Sequence, residues 1–557
     1  MIISTYPVPH GTAKRFVWPR LVGSSIAWII AAIVAVVEFA PGLHAVPAAP
    51  APIHVHNGWV QGTSQDGLTV YLGIPFAAPP VGALRWRVPQ PAADWSGILH
   101  ADSFAASPMQ HLEAWMGPLH ASEDCLYLNV WTPATSLKQA LPVMVWIYGG
   151  GFTSGSTAMR SYSGAELAKH GVVVVSIAYR VGPMGFLALP ELSAESPEHV
   201  SGNYGLLDHI AGLKWVRDNI AAFGGDPHRV TIFGESAGGI SVSMLAASPL
   251  AHGLFQGVIS ESGGSMGPTR TPPAPGENVQ TLANAERDGA AFMKRLGASS
   301  LAELRKLPAT AIQNAAGGPG EFWPVQDGYV ITGDPYRLYQ QGRFNDTPVL
   351  IGTNSDEGAL FGSPPSEAAY VASVRQRFGP FADRILARYP ATPDAWRQSS
   401  MDLMRDAGFA WGTWSWARLQ AVHGKGKVYM YYFAHVPPRS PELYWKKAIG
   451  AVHSEEMVYV FQHLNQSPDL PWSAADQTLS DDMATYWTNF VKTGNPNGPS
   501  LPEWPAFTAR AAKVLHFTDA PRVGGVANLK DLETLDAYFA WRRTPKGEAW
   551  ANAHAGR

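Results

Sequence analysis

The chain has 557 residues, of which 46% are apolar and 15% are charged, so it can bury a large core and is not expected to be disordered. Its formal net charge is −3 and its 41 Lys and Arg are scattered, which argues against nucleic acid as a partner. Cys125 is the only cysteine, which excludes an intramolecular disulfide and a cysteine-based metal cluster. The composition favours a globular protein that binds a small, weakly charged molecule.

The N-terminal segment has the order of features found in secretory signal peptides. Lys14, Arg15 and Arg20 precede an apolar stretch at residues 21–37, and an Ala- and Pro-rich run follows. We predict a signal peptide at residues 1–45, a linker at residues 46–55, and a secreted or periplasmic protein with no stable membrane partner. The alternative is an uncleaved membrane anchor through residues 21–37, because that stretch has about the minimum length of a spanning helix.

After the linker, predicted strands alternate with predicted helices, which is the order found in a mostly parallel sheet covered by helices on both faces. Residues 142–148 and 172–179 are almost continuously apolar, as strands buried on both faces require. Apolar residues recur at helical spacing over residues 206–223, and Gly224 follows. No linker or repeat divides residues 56–545, so we predict one domain there and a tail at residues 546–557.

A sharp turn is predicted where the strand at residues 230–233 meets the helix at residues 239–247. The turn is Gly234-Glu235-Ser236-Ala237-Gly238, and this pattern between a strand and a helix exposes the serine hydroxyl in a cleft. A structural serine in a chance Gly-x-Ser-x-Gly is the alternative, and the flanking strand and helix argue against it. Further strands are predicted at residues 257–260, 349–352 and 428–433, and a further helix at residues 481–492.

A triple glycine, Gly149-Gly150-Gly151, follows the predicted strand at residues 142–148. Attack of a serine on an ester creates an oxyanion, which backbone N–H groups must meet without rearrangement. Glycines let the backbone come close to such a group. We therefore predict Ser236 as the nucleophile and the N–H groups of Gly150, Gly151 and Ala237 as the oxyanion hole, a simple glycine-rich turn being the alternative.

Several separated blocks of the sequence resemble the type-B carboxylesterase/lipase family, the relatives of cholinesterases. The resemblance runs from about residue 53 to residue 545, and it implies an α/β-hydrolase fold and hydrolysis of carboxylic esters. Its blocks are Glu123-Asp-Cys-Leu-Tyr-Leu-Asn-Val-Trp131, Trp146-Ile-Tyr-Gly-Gly-Gly-Phe152, Phe223-Gly-Gly-Asp-Pro-His-Arg-Val-Thr-Ile-Phe-Gly-Glu-Ser-Ala-Gly238, Asn354-Ser-Asp-Glu-Gly358, Gly450-Ala-Val-His-Ser-Glu-Glu456 and Gly494-Asn-Pro-Asn497 with Trp504-Pro505.

The resemblance also implies the base and the acid that a serine nucleophile needs. Among 18 histidines it selects His453, and it selects Glu357 as the acid, with the neighbouring Asp356 as a rival. Glu235 and Ser262 match positions near the family's site, but sequence does not separate a supporting role from a direct one. A reaction of this kind needs no cofactor and no metal.

The sequence departs from its relatives at the cysteine. Family members commonly bridge the position of Cys125 to an upstream cysteine, and residues 105–110 contain none. We therefore expect a buried free thiol at Cys125 and an unclamped loop at residues 110–124. Trp115 lies where cholinesterases place a tryptophan that contacts a quaternary ammonium, although a core or wall role is the favoured interpretation.

The candidates for the substrate pocket precede Pro324-Val-Gln-Asp-Gly328, a block that resembles one in the family. In cholinesterases bulky aromatics just before this block restrict the acyl pocket, whereas here the nearest counterparts include Gly318 and Gly320. The prediction is an open pocket with graded tolerance of acyl groups larger than acetyl. The alternative is that Phe322, Trp323 or the cluster Trp411-Trp414-Trp416 closes the pocket.

We therefore predict a serine carboxylesterase that forms an acyl-enzyme on Ser236 and acts on a small-molecule ester. An interfacial lipase is one alternative, and it would need a large apolar surface. A non-catalytic adhesion or scaffolding relative is another, and the retained Ser236, Glu357 and His453 argue against it. The oligomeric state and the natural ester stay open.

Overall fold

A mixed sheet of eleven strands organises the structure, a computed structural model that describes residues 50–113, 116–271, 274–317 and 320–554. The strands are β1 (Thr63–Gln65), β2 (Leu68–Pro75), β3 (Tyr127–Thr132), β4 (Leu141–Ile147), β5 (Val173–Ile177), β6 (Gly225–Glu235), β7 (Gly257–Glu261), β8 (Val349–Asn354), β9 (Val428–Phe433), β10 (Val514–Phe517) and β11 (Arg522–Gly524). The predicted signal peptide or anchor, Trp115 and Gly318 lie outside the described residues.

The strand order across this sheet is β1-β2-β3-β5-β4-β6-β7-β8-β9-β10-β11. The six neighbouring pairs from β5 across to β10 are parallel. The four remaining pairs, three at the β1 edge and one at the β11 edge, are antiparallel. The predicted mostly parallel sheet is therefore confirmed.

Helices connect and cover these strands. They are α1 (Ala165–Ala168), α2 (Gly182–Phe186), α3 (Pro190–Glu195), α4 (Tyr204–Asn219), α5 (Ala237–Ala247), α6 (Leu282–Arg295), α7 (Leu301–Lys306), α8 (Ala309–Asn314), α9 (Pro335–Gln340), α10 (Glu367–Phe378), α11 (Ala382–Arg388), α12 (Trp396–Arg405), α13 (Trp411–His423), α14 (Met457–Val460), α15 (Ala474–Thr493), α16 (Leu529–Arg542) and α17 (Pro545–Ala553). Within the described ranges, no helix combines the length and the apolarity that a membrane span requires.

Ordered structure extends into both segments that flank the predicted domain. A strand at Ile53–Val55 lies inside the predicted linker and pairs with Gly58–Gln61, which in turn pairs with Ile98–His100. Burial of Val55 explains why this short strand is fixed. Helix α17 likewise covers most of the predicted tail, and Thr544 caps its N-terminus. The described residues all belong to one compact unit.

Local signals explain where two long helical segments begin and end. Helix α4 is followed by a 3₁₀ turn that stops at Gly224, whose φ of +78° is the left-handed conformation that favours glycine. Helix α15 begins seven residues before the predicted start, because Ser473 and Asp476 form a reciprocal capping box there. It ends at Gly494, with a φ of +70°.

The central strands set the position of the site. Every residue of β5, β7 and β8 is buried, and helix α5 is buried along its whole length against β4, β6 and β7. The triple glycine follows β4, Ser236 follows β6, and Glu357 follows β8. Because parallel strands share one direction, these three positions lie at the same carboxyl edge of the sheet, where α/β folds bind ligands.

Candidate active site

Ser236 lies in a strained turn between β6 and α5. Its φ of +56° and ψ of −124° belong to a region that non-glycine residues seldom adopt. A Cβ at Gly238 would lie 2.0 Å from the carbonyl oxygen of Ile147, so only glycine fits beside the turn. The N–H of Ser236 donates to the carbonyl of Glu261 at 2.9 Å, which ties the turn to the next strand. Packing around the turn therefore holds the serine in this conformation.

The triple glycine lies against Ser236. A Cβ at Gly149 would come within 3.0 Å of the Cβ of Ser236. Gly150 and Gly151 have φ values of +107° and +61°, and the carbonyl of Gly150 accepts from the N–H groups of Thr153 and Ser154, both at 3.1 Å. Because the N–H of a trans peptide points opposite to its C=O, the N–H of Gly151 faces away from that turn.

A further amide is supplied by the helix that follows Ser236. Ala237 is the first residue of α5, so its N–H has no acceptor within the helix. In the described chain, the N–H groups of Gly150 and Gly151 also donate no hydrogen bond. These three amides come from the two segments that meet at Ser236, which is the arrangement that an oxyanion hole needs.

His453 and Glu357 form a short hydrogen bond, with 2.5 Å between Nδ1 and Oε2. The other oxygen of Glu357, Oε1, accepts from the Ser262 hydroxyl at 2.5 Å and from the Asn354 N–H at 2.7 Å. Both side chains are buried, Glu357 completely. The carboxylate is thus fixed from two sides and faces the imidazole, and Ser262 helps to hold it.

Asp356, the rival acid, faces a different part of the chain. Its Oδ2 accepts from the backbone N–H groups of Ile449 and Gly450, at 3.0 and 3.3 Å, and its Oδ1 accepts from Gln398. The carboxylate therefore anchors the loop that leads to His453 rather than facing the imidazole.

Glu235 lies on the other side of His453, with its Oε1 3.1 Å from Nε2. This contact lacks the alignment of a hydrogen bond, and Nε2 has no hydrogen-bond partner among the described residues. Oε1 instead accepts from the Ser454 hydroxyl at 2.6 Å. Burial acts to lower the pKa of His453, but Glu235 and Glu357 together raise that pKa to about 9. Burial raises the pKa of Glu235 in turn.

Two phenylalanines cover the imidazole of His453. The ring centroids of Phe409 and Phe361 lie 4.6 and 5.3 Å from that of His453. Phe409 belongs to a π-helical turn at Asp406–Ala410, between α12 and α13, and such turns are frequent at functional sites. Neither ring was predicted from the sequence, although the position of Phe361 four residues after Glu357 was an available signal.

The structure separates the pocket candidates. The Trp323 ring packs edge-on against Phe152, directly after the triple glycine, with 5.1 Å between centroids. Phe322 instead packs against Phe292 of α6 at 4.9 Å and is buried in the core. A Cβ at Gly320 would have the Trp323 indole nitrogen 3.6 Å away as its nearest neighbour. Trp323 is therefore the aromatic of this group that lies beside the site.

The tryptophan cluster near residue 411 is part of the core. Trp411 stacks on Phe539 of α16 at 3.8 Å, and Trp416 packs against Tyr339 at 6.3 Å. Both side chains are fully buried. Trp411 and Trp416 therefore pack helix α13 into the core and do not close the pocket.

Cys125 is a buried free thiol, as predicted, and burial raises its pKa. In place of a disulfide, hydrogen bonds hold the two ends of the segment at residues 110–124. The Gln110 amide donates to the carbonyl of Gly155 at 2.7 Å and accepts from the Gly155 N–H at 2.8 Å. The segment Ser107–Pro108 also pairs with Ala121–Ser122. The Gln110 bonds tie the start of the segment to the chain that follows the triple glycine.

Comparison with known proteins identifies the family. The model of the carboxylesterase family matches residues 49–535. The chain belongs to this family. It is 37% identical over 515 residues to the fumonisin B1 esterase of Sphingopyxis macrogoltabida, covering 87% of this chain and 89% of the relative. It is 35% identical over 484 residues to the para-nitrobenzyl esterase of Bacillus subtilis strain 168, covering 82% of this chain and 93% of that protein.

Solved structures agree with this assignment. Two structures of PNB esterase superpose on this carboxylesterase with TM-scores of 0.76 and 0.75, each at 33% identity over 87% of this chain and 99% of the other. A thermophilic PNB esterase gives a TM-score of 0.76 at the same identity and coverage. The predicted family, the α/β-hydrolase fold and the activity of a carboxylic-ester hydrolase are confirmed, and the alternative of a non-catalytic protein is set aside.

Proposed function

We propose that this carboxylesterase hydrolyses its ester through an acyl-enzyme on Ser236, with His453 as the base and Glu357 as the residue that orients it. The observation that carries the proposal is the state of the imidazole. Its Nδ1 is held by Glu357 at 2.5 Å, while its Nε2 has no hydrogen-bond partner in the described chain. A base of this kind needs one nitrogen fixed and the other open to the nucleophile.

The proposed reaction begins when the Ser236 hydroxyl attacks the ester carbonyl and its proton passes to Nε2 of His453. The carbonyl oxygen becomes an oxyanion, which the amides of Gly150, Gly151 and Ala237 stabilise. The imidazolium then gives its proton to the leaving alcohol, and the acyl group stays on Ser236. A water molecule releases the acid by the same two steps, with His453 again moving the proton.

Two carboxylates stabilise the imidazolium that this reaction creates. Glu357 contacts the Nδ1 side and Glu235 lies on the Nε2 side, so the positive charge forms between two negative groups. Ion pairs are strengthened in a buried site because water screens them little. We propose that Glu357 orients the imidazole and that Glu235 adjusts its proton affinity.

The substrate is proposed to be a small-molecule ester with an acyl group larger than acetyl. Gly320 leaves space beside Trp323, and Trp323 lies next to the segment that carries the oxyanion amides. A pocket with one aromatic wall would admit acyl groups with graded rather than abrupt discrimination. The test is kcat/KM along acetyl, butyryl, hexanoyl and benzoyl esters of one alcohol, and a steep fall beyond acetyl would contradict the open pocket.

Substitution of the proposed catalytic residues tests the mechanism. We expect Ser236→Ala and His453→Ala each to lower kcat by about 10⁴-fold or more, and the double variant to lose little beyond that, because the residues act as a unit. Glu357→Gln should also remove most of the activity. Asp356→Asn is its matched control, since Asp356 is the neighbouring buried carboxylate that does not face His453. Equal losses in these two variants would contradict the assignment of the acid.

An interfacial lipase is the second candidate function. Phe361, Tyr444 and Ile449 are 52%, 68% and 75% exposed, and they belong to the segments that follow Glu357 and precede His453. Exposed apolar side chains around a site suit contact with an aggregated substrate. The test is turnover of a long-chain ester below and above its solubility limit. A jump in rate above that limit would support the lipase, and a smooth saturation curve would support the esterase.

A further inference from the structure

A cavity of about 420 Å³ lies apart from the candidate active site. Its lining residues come from three segments, residues 268–269, 332–343 and 542–552, and from two single positions, Thr281 and Gln326. None of the proposed catalytic or oxyanion-hole residues lines it. The uncharged polar side chains on its wall are those of Thr269, Thr281, Gln326, Thr332, Gln341 and Asn552.

The charged side chains of this cavity are predominantly positive. Four arginines line it against two carboxylates, which leaves a formal excess of two positive charges. The arginines are Arg337, Arg343, Arg542 and Arg543, and the carboxylates are Asp334 and Glu548. A concave surface with an excess of one charge concentrates ligands of the opposite charge.

Arg542 is not neutralised by its own ion pair. Its Nε donates to Glu277 Oε1 at 3.0 Å, but the second oxygen of Glu277 accepts from Arg270 at 3.1 Å. Glu277 is completely buried behind the cavity wall. One carboxylate therefore faces two guanidinium groups, and a positive charge remains at this wall.

Arg343 and Arg337 keep unused donors. Among the described residues, the hydrogen bond of Arg343 is one to Gln341 Oε1 at 3.5 Å, which is at the outer limit for such a bond, and Arg343 is exposed. Arg337 uses Nη2, which donates to the carbonyl of Arg543 at 2.7 Å and contacts Glu548 at 3.4 Å. Each guanidinium has five N–H groups, so both arginines can still bind an oxyanion.

The other two arginines are already fixed in place. Arg542 donates to the carbonyls of Thr269 and Gly547, at 3.0 and 3.1 Å, and Arg543 pairs with both oxygens of Asp334, at 2.5 and 3.1 Å. Groups that are held before a ligand arrives lose little conformational entropy when it binds. Arg542 and Arg543 therefore add a fixed positive charge behind the wall, and Arg337 and Arg343 supply the free donors.

We propose that this cavity binds a small multivalent oxyanion, either an organic di- or tricarboxylate or a phosphate monoester. Guanidinium groups match the paired oxygens of carboxylate and phosphate, and both anions would neutralise the excess charge. The volume lies in the range of small-molecule sites. The site is separate from Ser236, and its occupancy does not depend on the proposed ester chemistry.

Calorimetric titration of the purified protein at low ionic strength tests this proposal, with citrate and inorganic phosphate as the two probes. We expect saturable binding, tighter for citrate if the natural ligand is a carboxylate and tighter for phosphate if it is a phosphate ester. Arg337→Gln combined with Arg343→Gln should weaken the binding by about tenfold or more, the usual effect of losing charge-assisted hydrogen bonds. Arg375→Gln on α10, an exposed arginine outside the cavity, is the control and should bind like the wild type.

Two results would overturn the proposal. One is the absence of saturable binding of either anion up to about 10 mM. The other is equal affinity in the wild type and in the double variant. The melting temperature without anion checks that the variants fold. If the double variant does not fold, Arg343→Gln alone, at an exposed position, replaces it in the binding test.

Discussion

Replacement of Glu235 by glutamine should move the acidic limb of the pH–rate profile to lower pH. The carboxylate lies 3.1 Å from Nε2 of His453 and raises the pKa of the imidazole. In the proposed mechanism His453 must be neutral to accept the proton of Ser236, so a raised pKa places the acidic limb above the ordinary histidine value of about 6.5. Removing the charge lowers the pKa of His453, and activity then persists to lower pH.

The size of this shift follows from the geometry. Two charges about 4 Å apart at an effective dielectric constant of about 20 attract by about 4 kcal/mol, which is about three pKa units. Burial raises the pKa of Glu235 itself, so part of that attraction is lost where Glu235 is protonated. We therefore expect the acidic limb to move down by about one to three pH units, within that upper bound.

The assay is kcat/KM for a neutral ester between pH 5 and pH 10, because this ratio reports the pKa values of the free enzyme. Glu261→Gln is the matched control. Glu261 is also buried, and its Oε1 accepts from the Trp487 indole at 2.7 Å rather than facing His453. Burial raises the pKa of Glu261 to about 8, and because this carboxyl group faces Trp487 rather than His453, its replacement should leave the acidic limb in place. An acidic limb at the same pH in the wild type and in folded Glu235→Gln would refute the electrostatic argument.

Further predictions concern the acid, the oxyanion amides, the pocket and the N-terminus. Ser262→Ala removes a hydrogen bond to the buried Glu357, and kcat should fall about tenfold without a matching change in KM. Gly151→Val should lower kcat by about 10²–10³, the scale of a lost oxyanion donor, and an unchanged kcat would place the hole elsewhere. Trp323→Ala should raise kcat/KM for benzoyl relative to acetyl esters by about tenfold, and an unchanged ratio would remove Trp323 from the pocket. N-terminal sequencing should find that residues 1–45 are cleaved, whereas an intact Met1 in the membrane fraction would support the anchor.

The sequence predicted the strands that are buried on both faces, because a continuous apolar run is a strong signal. Strands β4, β5, β7, β8 and β9 lie within a few residues of their predicted bounds. The antiparallel strands β1 to β3 were not predicted. Thr63–Gln65 has no apolar run, and in the buried strand β3 Asn129 interrupts the apolar residues. Their place is set by pairing along the sheet edge rather than by local composition.

The site was predictable to different depths. The turn at Ser236 and the triple glycine carry local patterns, and the structure brings them together. His453 and Glu357 came from family resemblance, because adjacent carboxylates such as Asp356 and Glu357 cannot be distinguished by sequence. Their orientations depend on hydrogen bonds to distant segments.

Other parts of the site depend on tertiary contacts with no local pattern. Phe409 reaches His453 from a π-helical turn, a feature that apolar periodicity does not reveal. The hydrogen bond from Gln110 to Gly155 holds one end of a loop for which the sequence indicated only the absence of a disulfide. Glu235 and His453 are far apart in the sequence, so their contact at Nε2 could not be predicted without the tertiary structure.

Covalent labelling of the nucleophile tests the central claim most directly. A fluorophosphonate reacts with an activated serine, and the proposed mechanism has one such residue at the elbow. Intact-mass analysis and peptide mapping of the inactivated protein should show a single adduct on Ser236, with activity lost in proportion to labelling, and folded Ser236→Ala should take up none. An adduct on another residue, or ester hydrolysis that survives full modification of Ser236, would contradict the account.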